Sequence, residues 1–187
     1  LGWALVPLCN LAAFLHVPLA PLLPEGESGL RVGQLARKGI FWLLLLLMLC
    51  AGASEQAMSQ WASTFAEQGL GVSKMLGDLA GPMLFAVLMG TSRALYGKFG
   101  DRLDLHRCMA VCTVGCMAGY LLAALSPWPA LGLAGCGLCG LSVGIFWPGT
   151  FSTGAAAIRT GGTAMFALFA LAGDLGCSAG PGLVGAV

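Results

Sequence analysis

The sequence predicts an all-α membrane protein, a polytopic bundle of transmembrane helices. Of its 187 residues, 58% are hydrophobic and only 9% are charged, and the mean hydropathy is +0.87. In a soluble domain about a quarter of the residues are charged. The apolar runs are long and show no alternation of polar and apolar residues. In lipid the backbone must satisfy its own hydrogen bonds, so such runs form helices.

Six segments are long enough to cross a hydrocarbon core about 30 Å thick, which takes roughly 20 helical residues. Pro127 and Pro129 mark the sharpest break between two of them, because proline ends one helix and starts the next. We expect both ends to be truncated, since the chain begins without methionine and ends inside an apolar run. The predicted spans are 1–23, 39–66, 79–96, 107–125, 130–158 and 161–187.

The basic residues predict which side of the membrane each connection faces. Short loops that carry Lys and Arg remain in the cytoplasm. Of the nine basic residues, Lys74 alone falls on one side of the predicted spans. We therefore expect loops 24–38 and 97–106 to be cytoplasmic, in a multi-pass protein of the plasma (inner) membrane. The residues on the cytoplasmic side are Arg31, Arg37, Lys38, Arg93, Lys98, Arg102, Arg107 and Arg159.

Several functional classes are disfavoured by the composition. The scattered basic residues and the net charge of +1 give no nucleic-acid surface. The chain has no G-x-x-x-x-G-K-[ST] loop for ATP, and both histidines fall at predicted membrane edges, which argues against a membrane-embedded enzyme. Cys136 and Cys139 have metal-ligand spacing but lack a second pair or a nearby histidine. We expect no metal and no cofactor.

Residues 97–103 read G-K-F-G-D-R-L and join two predicted spans on the cytoplasmic side. Glycines allow a tight turn, and Asp101 and Arg102 can pair with helix ends to latch one conformation. The stretch resembles the loop signature of the major facilitator superfamily, G-x-L-a-D-r-x-G-r-k, which joins the second and third helices of each half. The match ends after Leu103, where D-L-H replaces G-r-k. A solvated charged turn remains the alternative.

Residues 176–185 read G-C-S-A-G-P-G-L-V-G and resemble the G-x-x-x-G-P-x-x-G-G motif of the same superfamily, found on the fifth helix of antiporter branches and, in weaker form, on the eleventh. Small residues four apart let helices approach closely, and proline bends a helix where two helices slide. Gly180 and Pro181 are therefore gating candidates together with Gly97. Simple small-residue packing is the alternative.

The order of the two motifs matches one six-helix half of that superfamily. Counted from residue 39, the loop follows the second helix and the G-P motif lies in the fifth. The resemblance implies that 1–23 is the end of the sixth helix, 24–38 the central cytoplasmic loop, and 39–187 the C-terminal half without its last helix. It also implies a transporter that works by alternating access, together with an N-terminal half of the same chain.

Two acidic residues, Glu55 and Asp174, lie within predicted spans. Ionisable groups are costly in lipid and usually face a bundle interior or a water-filled cavity. Polar residues recur around Glu55 at helical spacing, and in the resembled fold this helix lines the central cavity. Both acids are candidates for proton coupling, with Glu55 also a possible salt-bridge gate and Asp174 a possible helix cap. The candidate solute-binding residues are Glu55, Gln56, Ser59, Gln60, Trp61 and Trp147.

Pro148 breaks the fifth predicted span within residues 146–150, F-W-P-G-T. A proline kink frees backbone carbonyl groups and can serve as a gate hinge. Trp147 can line the cavity or pack between helices, and the polar groups around Glu55 can bind solute or only bond neighbouring helices.

The sequence as a whole predicts a proton-coupled permease for a small polar solute, with a sugar as the first candidate. A drug or metabolite efflux antiporter is the alternative. The expected partners are the solute, the coupling ion and the lipid bilayer.

The predicted orientation can be tested by cysteine labelling of the full-length protein in cells. A cysteine placed in loop 67–78 should react with a membrane-impermeant maleimide from outside, and one in loop 97–106 should react only after permeabilisation, because basic loops remain inside. The reverse pattern would contradict the assignment of 39–187 to the second half.

Overall fold

The computed structural model describes residues 2–17, 29–69, 71 and 73–186, which form helices and connecting turns without a strand. The side chain of Asp101 is among those outside this description. The long α3 continues as a π-helical turn, Phe65–Gly69, and α4 is followed by a 3₁₀ turn, Gly100–Arg102. The helices are α1 Gly2–His16, α2 Val32–Leu35, α3 Gly39–Thr64, α4 Lys74–Phe99, α5 Leu105–Leu125, α6 Pro129–Val143, α7 Phe146–Ala157 and α8 Gly162–Gly185.

Five stretches are long and apolar enough to cross a membrane, which confirms the predicted fold class of an all-α membrane bundle. They are Gly39–Glu67, Leu79–Phe99, Leu105–Leu125, Pro129–Ala157 and Gly162–Gly185. The first predicted span is apolar but shorter in the structure, since α1 ends at His16. Residues 18–23 of that span lie outside the described residues, so a crossing there remains a prediction.

Local chemistry explains where the central helices begin and end. Asp104 precedes α5, and its Oδ1 accepts a hydrogen bond from the Arg107 backbone N–H at 3.2 Å. This N–H lies in the first turn of the helix and has no acceptor within the helix itself. Ser126 ends α5, and Pro129 opens α6 at its first position, where the missing proline N–H carries no penalty. The predicted break at Pro127 and Pro129 is thereby confirmed.

The contact between α3 and α8 depends on glycine. A Cβ atom added to Gly52 would overlap the Gly173 carbonyl oxygen, and one added to Gly176 would overlap the Leu49 carbonyl oxygen. A Cβ atom on Gly180 would lie 2.5 Å from the carbonyl oxygen of Ala53. The two backbones are therefore in direct contact, as small residues permit in membrane helices. The G-P motif contributes two of these contacts.

The α6 helix lies between α4 and α5 and carries much of the core. A Cβ atom on Gly140 would overlap the Phe85 carbonyl oxygen, so α6 also touches α4 through its backbone. Cys136 and Cys139 are completely buried, as free thiols, in a cluster with Phe85 and Val143. These cysteines pack as small apolar side chains.

The connection before α3 is attached to the turn between α7 and α8. The Leu30 N–H donates to the Thr160 carbonyl at 2.9 Å, and Leu35 is completely buried among residues that include Phe41 and Phe169. Residues 30–35 and the Arg159 turn therefore lie at the same end of the bundle, where the charge pattern predicts them together.

The glycine contact predicts a sharp difference between two positions of α8. Gly176→Ala should lower the free energy of unfolding of the full-length protein by about 1–3 kcal/mol, because the added methyl group forces the backbones apart. The measurement is reversible unfolding in mixed detergent and SDS micelles. Gly182→Ala is the matched control, since a Cβ atom there has no neighbour within 4 Å. An equal loss in both variants would contradict this account of the contact.

Candidate functional site

The polar residues of α3 around Glu55 differ in their exposure. Glu55 and Ser59 are partly buried, Gln56 and Trp61 are also partly buried, and Gln60 is exposed. At 100° per residue, Glu55 and Gln60 lie about 140° apart around the helix axis. The predicted polar residues of α3 therefore cover one broad arc of the helix, with Glu55 and Gln60 at its two edges.

Glu55 is paired with Arg93 of α4. The Arg93 Nη2 donates to both carboxylate oxygens, at 3.1 Å to Oε1 and 3.0 Å to Oε2. The side chain of Glu55 is 18% exposed and that of Arg93 is 40% exposed. In the described part of the chain, this is the only ion pair that joins two helices. Glu55 was predicted as a proton-coupling residue or a salt-bridge gate. The second role requires a cationic partner, and Arg93 is in the position to be that partner.

Arg93 is not among the predicted site residues, since its charge was assigned only to the cytoplasmic side. Arg93 nevertheless lies inside the predicted span 79–96, and the structure places it within the stretch Leu79–Phe99. A cation within a span is itself a sign of function. That sign was present in the sequence, but its partner was not recognisable without the packing of α3 on α4.

The break in the fifth span lies slightly before its predicted position. The α-helical pattern stops at Gly144 and Ile145, and α7 then begins at Phe146 with Pro148 in its first turn. The reason is the missing N–H of proline, which leaves the carbonyl group four residues earlier without its usual donor. That carbonyl belongs to Gly144, and it accepts a hydrogen bond from Arg93 Nε at 3.3 Å.

A cavity of about 640 Å³ brings several of the predicted residues together. The side chain of Trp147 packs against α8, where a Cβ atom on Gly173 would lie 2.5 Å from its Cη2 atom. The Trp147 Nε1 is buried and has no hydrogen-bond partner within the described residues. The hydroxyl groups of Tyr96 and Ser152 lie 3.2 Å apart. The cavity is lined by Glu55, Arg93, Tyr96, Gly97, Trp147 and Pro148.

A second cavity, about 630 Å³ in volume, lies on another side of α3 and is mostly apolar. The Tyr120 hydroxyl donates to the Ser54 carbonyl at 2.8 Å, and the buried Thr150 hydroxyl has no hydrogen-bond partner among the described residues. The lining residues come from α3, α5 and the start of α7, and the larger ones are Leu47, Met109, Met117, Tyr120, Leu121 and Phe146.

The remaining solute and proton candidates lie away from the first cavity. Trp61 ties α3 to α8, since its Nε1 donates to the Pro181 carbonyl at 3.0 Å. Asp174 is exposed in the middle of α8, and is therefore not a helix cap.

The predicted gating loop is a short helical turn between α4 and α5. Gly97 lies in the last turn of α4, Arg102 is exposed, and the Leu103 N–H donates to the Gly100 carbonyl at 3.2 Å. The side chain of Asp101 lies outside the described residues, so its role as a latch remains a prediction. Asp104 is the carboxylate that caps α5, and the sequence analysis did not foresee this.

The five apolar helices and their contacts define a polytopic α-helical membrane protein. Comparison with family models matches residues 2–181 to the Major Facilitator Superfamily, and the chain belongs to this family of membrane transporters. The resemblance seen in its two motifs is thus confirmed. Neither the curated proteins nor the solved structures contain a significant match.

The ion pair between α3 and α4 predicts an energetic coupling. Arg93→Gln should lower the free energy of unfolding by about 1–3 kcal/mol, because it leaves the Glu55 charge in a span without its partner. The combined Glu55→Gln and Arg93→Gln variant should lose less than the sum of the single changes, as a double-mutant cycle in detergent measures.

Arg107→Gln serves as the control for this cycle, because the side chains of Arg107 and Asp104 are 87% and 51% exposed. Such surface pairs contribute little to stability. If the changes in the free energy of unfolding caused by Glu55→Gln and Arg93→Gln are strictly additive, the ion pair does not contribute to stability.

Proposed function

We propose that this chain forms part of a secondary active transporter that moves a small polar solute by alternating access. The observation that carries the proposal is the Glu55–Arg93 ion pair on the wall of the 640 Å³ cavity. Charges are kept within membrane spans mainly where a solute or ion passes. The partly exposed side chains show that the pair is accessible from the cavity.

Glu55 is the proposed proton acceptor, with Arg93 as its counter-charge. Protonation of the carboxylate would remove the attraction to Arg93 and change the charge of the cavity wall by one unit. Asp174 is the second candidate for coupling, because it also lies in a span, but it has no cationic partner among the described residues. The proposed coupling ion is therefore the proton, bound at Glu55.

A sugar is the first candidate solute. The indole of Trp147 offers a flat apolar surface, and Tyr96 and Glu55 offer hydrogen-bonding groups in the same cavity. Gln56, Ser59, Gln60 and Trp61 remain proposed contacts of the solute. The gating proposal concerns Gly97, Asp101, Arg102, Pro148, Gly180 and Pro181.

The location of the protein and its arrangement in the full chain follow from the same proposal. We assign residues 1–23 to the sixth helix, 24–38 to the cytoplasmic central loop and 39–187 to the C-terminal half. The proposed location is the plasma (inner) membrane, with the charged loops on the cytoplasmic side.

The alternative function is an efflux antiporter for an apolar drug or metabolite. The second cavity favours it, because Leu47, Met109, Met117 and Phe146 present an apolar lining of drug-sized volume. A transport assay in proteoliposomes distinguishes the two functions. A permease accumulates a hydrophilic solute in the inward direction, whereas an efflux antiporter moves an apolar dye in the outward direction.

Glu55→Gln tests the coupling role. The change keeps the shape and most hydrogen bonds of the side chain but removes its titrating charge, so uphill accumulation driven by a proton gradient should fall at least about tenfold. Solute exchange without a gradient should survive. Both are measured with the full-length protein in proteoliposomes.

Glu67→Gln is the matched control, because Glu67 is exposed at the far end of the same helix. It should leave accumulation unchanged. If the Glu55→Gln protein still concentrates solute with the wild-type pH dependence, Glu55 is structural and the coupling group must be Asp174 or a residue of the N-terminal half.

A further inference from the structure

The α6–α7 break contains one carbonyl group whose hydrogen bond cannot come from its own helix. In a continuous helix the Gly144 carbonyl would accept from the N–H of residue 148, but residue 148 is proline. The next hydrogen bond of the ladder is intact, since the Gly149 N–H donates to the Ile145 carbonyl at 2.8 Å. The Gly144 carbonyl is therefore the acceptor at this break whose usual helical donor is removed by Pro148.

Arg93 supplies the missing donor from another helix. Its Nε lies 3.3 Å from the Gly144 oxygen, and its Nη2 holds both oxygens of Glu55. The α4 helix packs closely against Gly144, which brings Arg93 within reach of its carbonyl. A Cβ atom on Gly144 would lie 2.8 Å from the Met89 carbonyl oxygen and 2.9 Å from Ser92 Cβ. One planar guanidinium thus connects α3 to the break through two edges of the same group.

We propose that Arg93 is a positioning residue that links the charge of Glu55 to the geometry of the α6–α7 break. This inference rests on the proposed function, in which Glu55 binds the coupling proton. While Glu55 is charged, it fixes the guanidinium so that Nε reaches the Gly144 carbonyl. When Glu55 takes up a proton, the guanidinium is released, the carbonyl loses its donor, and Pro148 offers no replacement.

The result of that release is a movement of α7. An unpaired carbonyl in a water-poor environment is costly, so the break must adopt another geometry to satisfy it. The α7 helix carries Trp147, whose ring lies 6.4 Å from that of Phe151 and packs on Gly173 of α8. The indole of Trp147 therefore reports the position of α7 relative to α8.

Other ionisable groups near Glu55 could also make the position of α7 depend on pH, and the experiment must distinguish them from Glu55. They are Arg93 and Tyr96 on α4, and Asp174 and Cys177 on α8. The α6 and α7 helices contribute no charged side chain. Asp174 is the other carboxyl group within a membrane helix, so its variant belongs in the experiment.

The experiment uses the full-length protein in nanodiscs, labelled with 5-fluorotryptophan and observed by ¹⁹F NMR over a pH titration that is continued until carboxyl groups are protonated. The Trp147→Phe variant assigns the resonance of Trp147. In the wild type this resonance should move with pH. In Glu55→Gln it should remain at its low-pH position throughout, because the carboxylate charge is permanently absent.

Two further variants remove the link at different atoms. Arg93→Lys keeps a positive charge beside Glu55 but lacks the planar fork whose separate Nε and Nη2 atoms reach the Gly144 carbonyl and the carboxylate. Pro148→Ala restores the backbone N–H, so the carbonyl no longer depends on Arg93. Each variant should reduce the pH-dependent shift of Trp147 at least about fivefold. The resonances of Trp42, Trp61 and Trp128 show whether each variant is folded.

Pro82→Ala is the matched control, since Pro82 also lies inside a membrane helix and is eleven residues before Arg93 on α4. It should keep the wild-type response. The proposal is overturned if the wild-type resonance does not respond to pH, if either Arg93→Lys or Pro148→Ala keeps the full response, or if Asp174→Asn removes it while Glu55→Gln does not.

The transport assay keeps this outcome separate from the proposed function. If Glu55→Gln abolishes uphill accumulation while Trp147 in the wild type ignores pH, the transporter proposal stands and the link through Arg93 fails. If Trp147 responds as expected but Glu55→Gln still accumulates solute, the link exists and proton coupling through Glu55 fails.

Discussion

The close crossing of α3 and α8 is the contact on which the arrangement of this bundle depends. Lipid tails are as apolar as leucine side chains, so helices in a membrane gain little from apolar burial alone and associate through close backbone packing. Gly52 and Gly176 allow that packing here, and Gly180 extends it along the helix. The α3 helix also contacts α4, α6 and α7. Its packing position on α8 therefore determines which of these helices each of its polar residues faces. A side chain added at this crossing would displace Glu55 as well as α8.

The placement of α3 leads directly to the ion pair with α4. Charged groups within a span are costly, and pairing recovers only part of that cost. Glu55 and Arg93 are not sealed from the cavity, since their side chains are 18% and 40% exposed. A partly exposed pair contributes less to stability than a fully buried one, because solvent screens its charges. The same guanidinium also satisfies the Gly144 carbonyl, which joins three helices at one side chain.

Several features of the site were visible in the sequence, and several were not. The two motifs placed the chain in its family, and the acidic residue in the third helix was recognised as unusual. The polar residues around Glu55 were predicted as a group from helical spacing, but their exposure is set by tertiary packing, with Glu55 against α4 and Gln60 exposed. The break was predicted at Pro148, and the helical pattern stops slightly earlier, at Gly144 and Ile145. Arg93 was counted only among the charges of the cytoplasmic side although it lies in a span.

Hydropathy and proline positions by themselves determined the fold class and five of the membrane helices, because a helix in lipid satisfies its backbone locally and needs no partner to be recognised. The same sequence contains Glu55, Arg93, Gly144 and Pro148 but gives no reason to group them, since they are spread over 94 positions, from 55 to 148. Only the tertiary structure decided that one guanidinium reaches both a carboxylate on α3 and a carbonyl at the α6–α7 break. Whether these groups meet depends on how closely the helices pack, and the packing distance is set by backbone contacts at glycines. Hydropathy does not reveal these contacts.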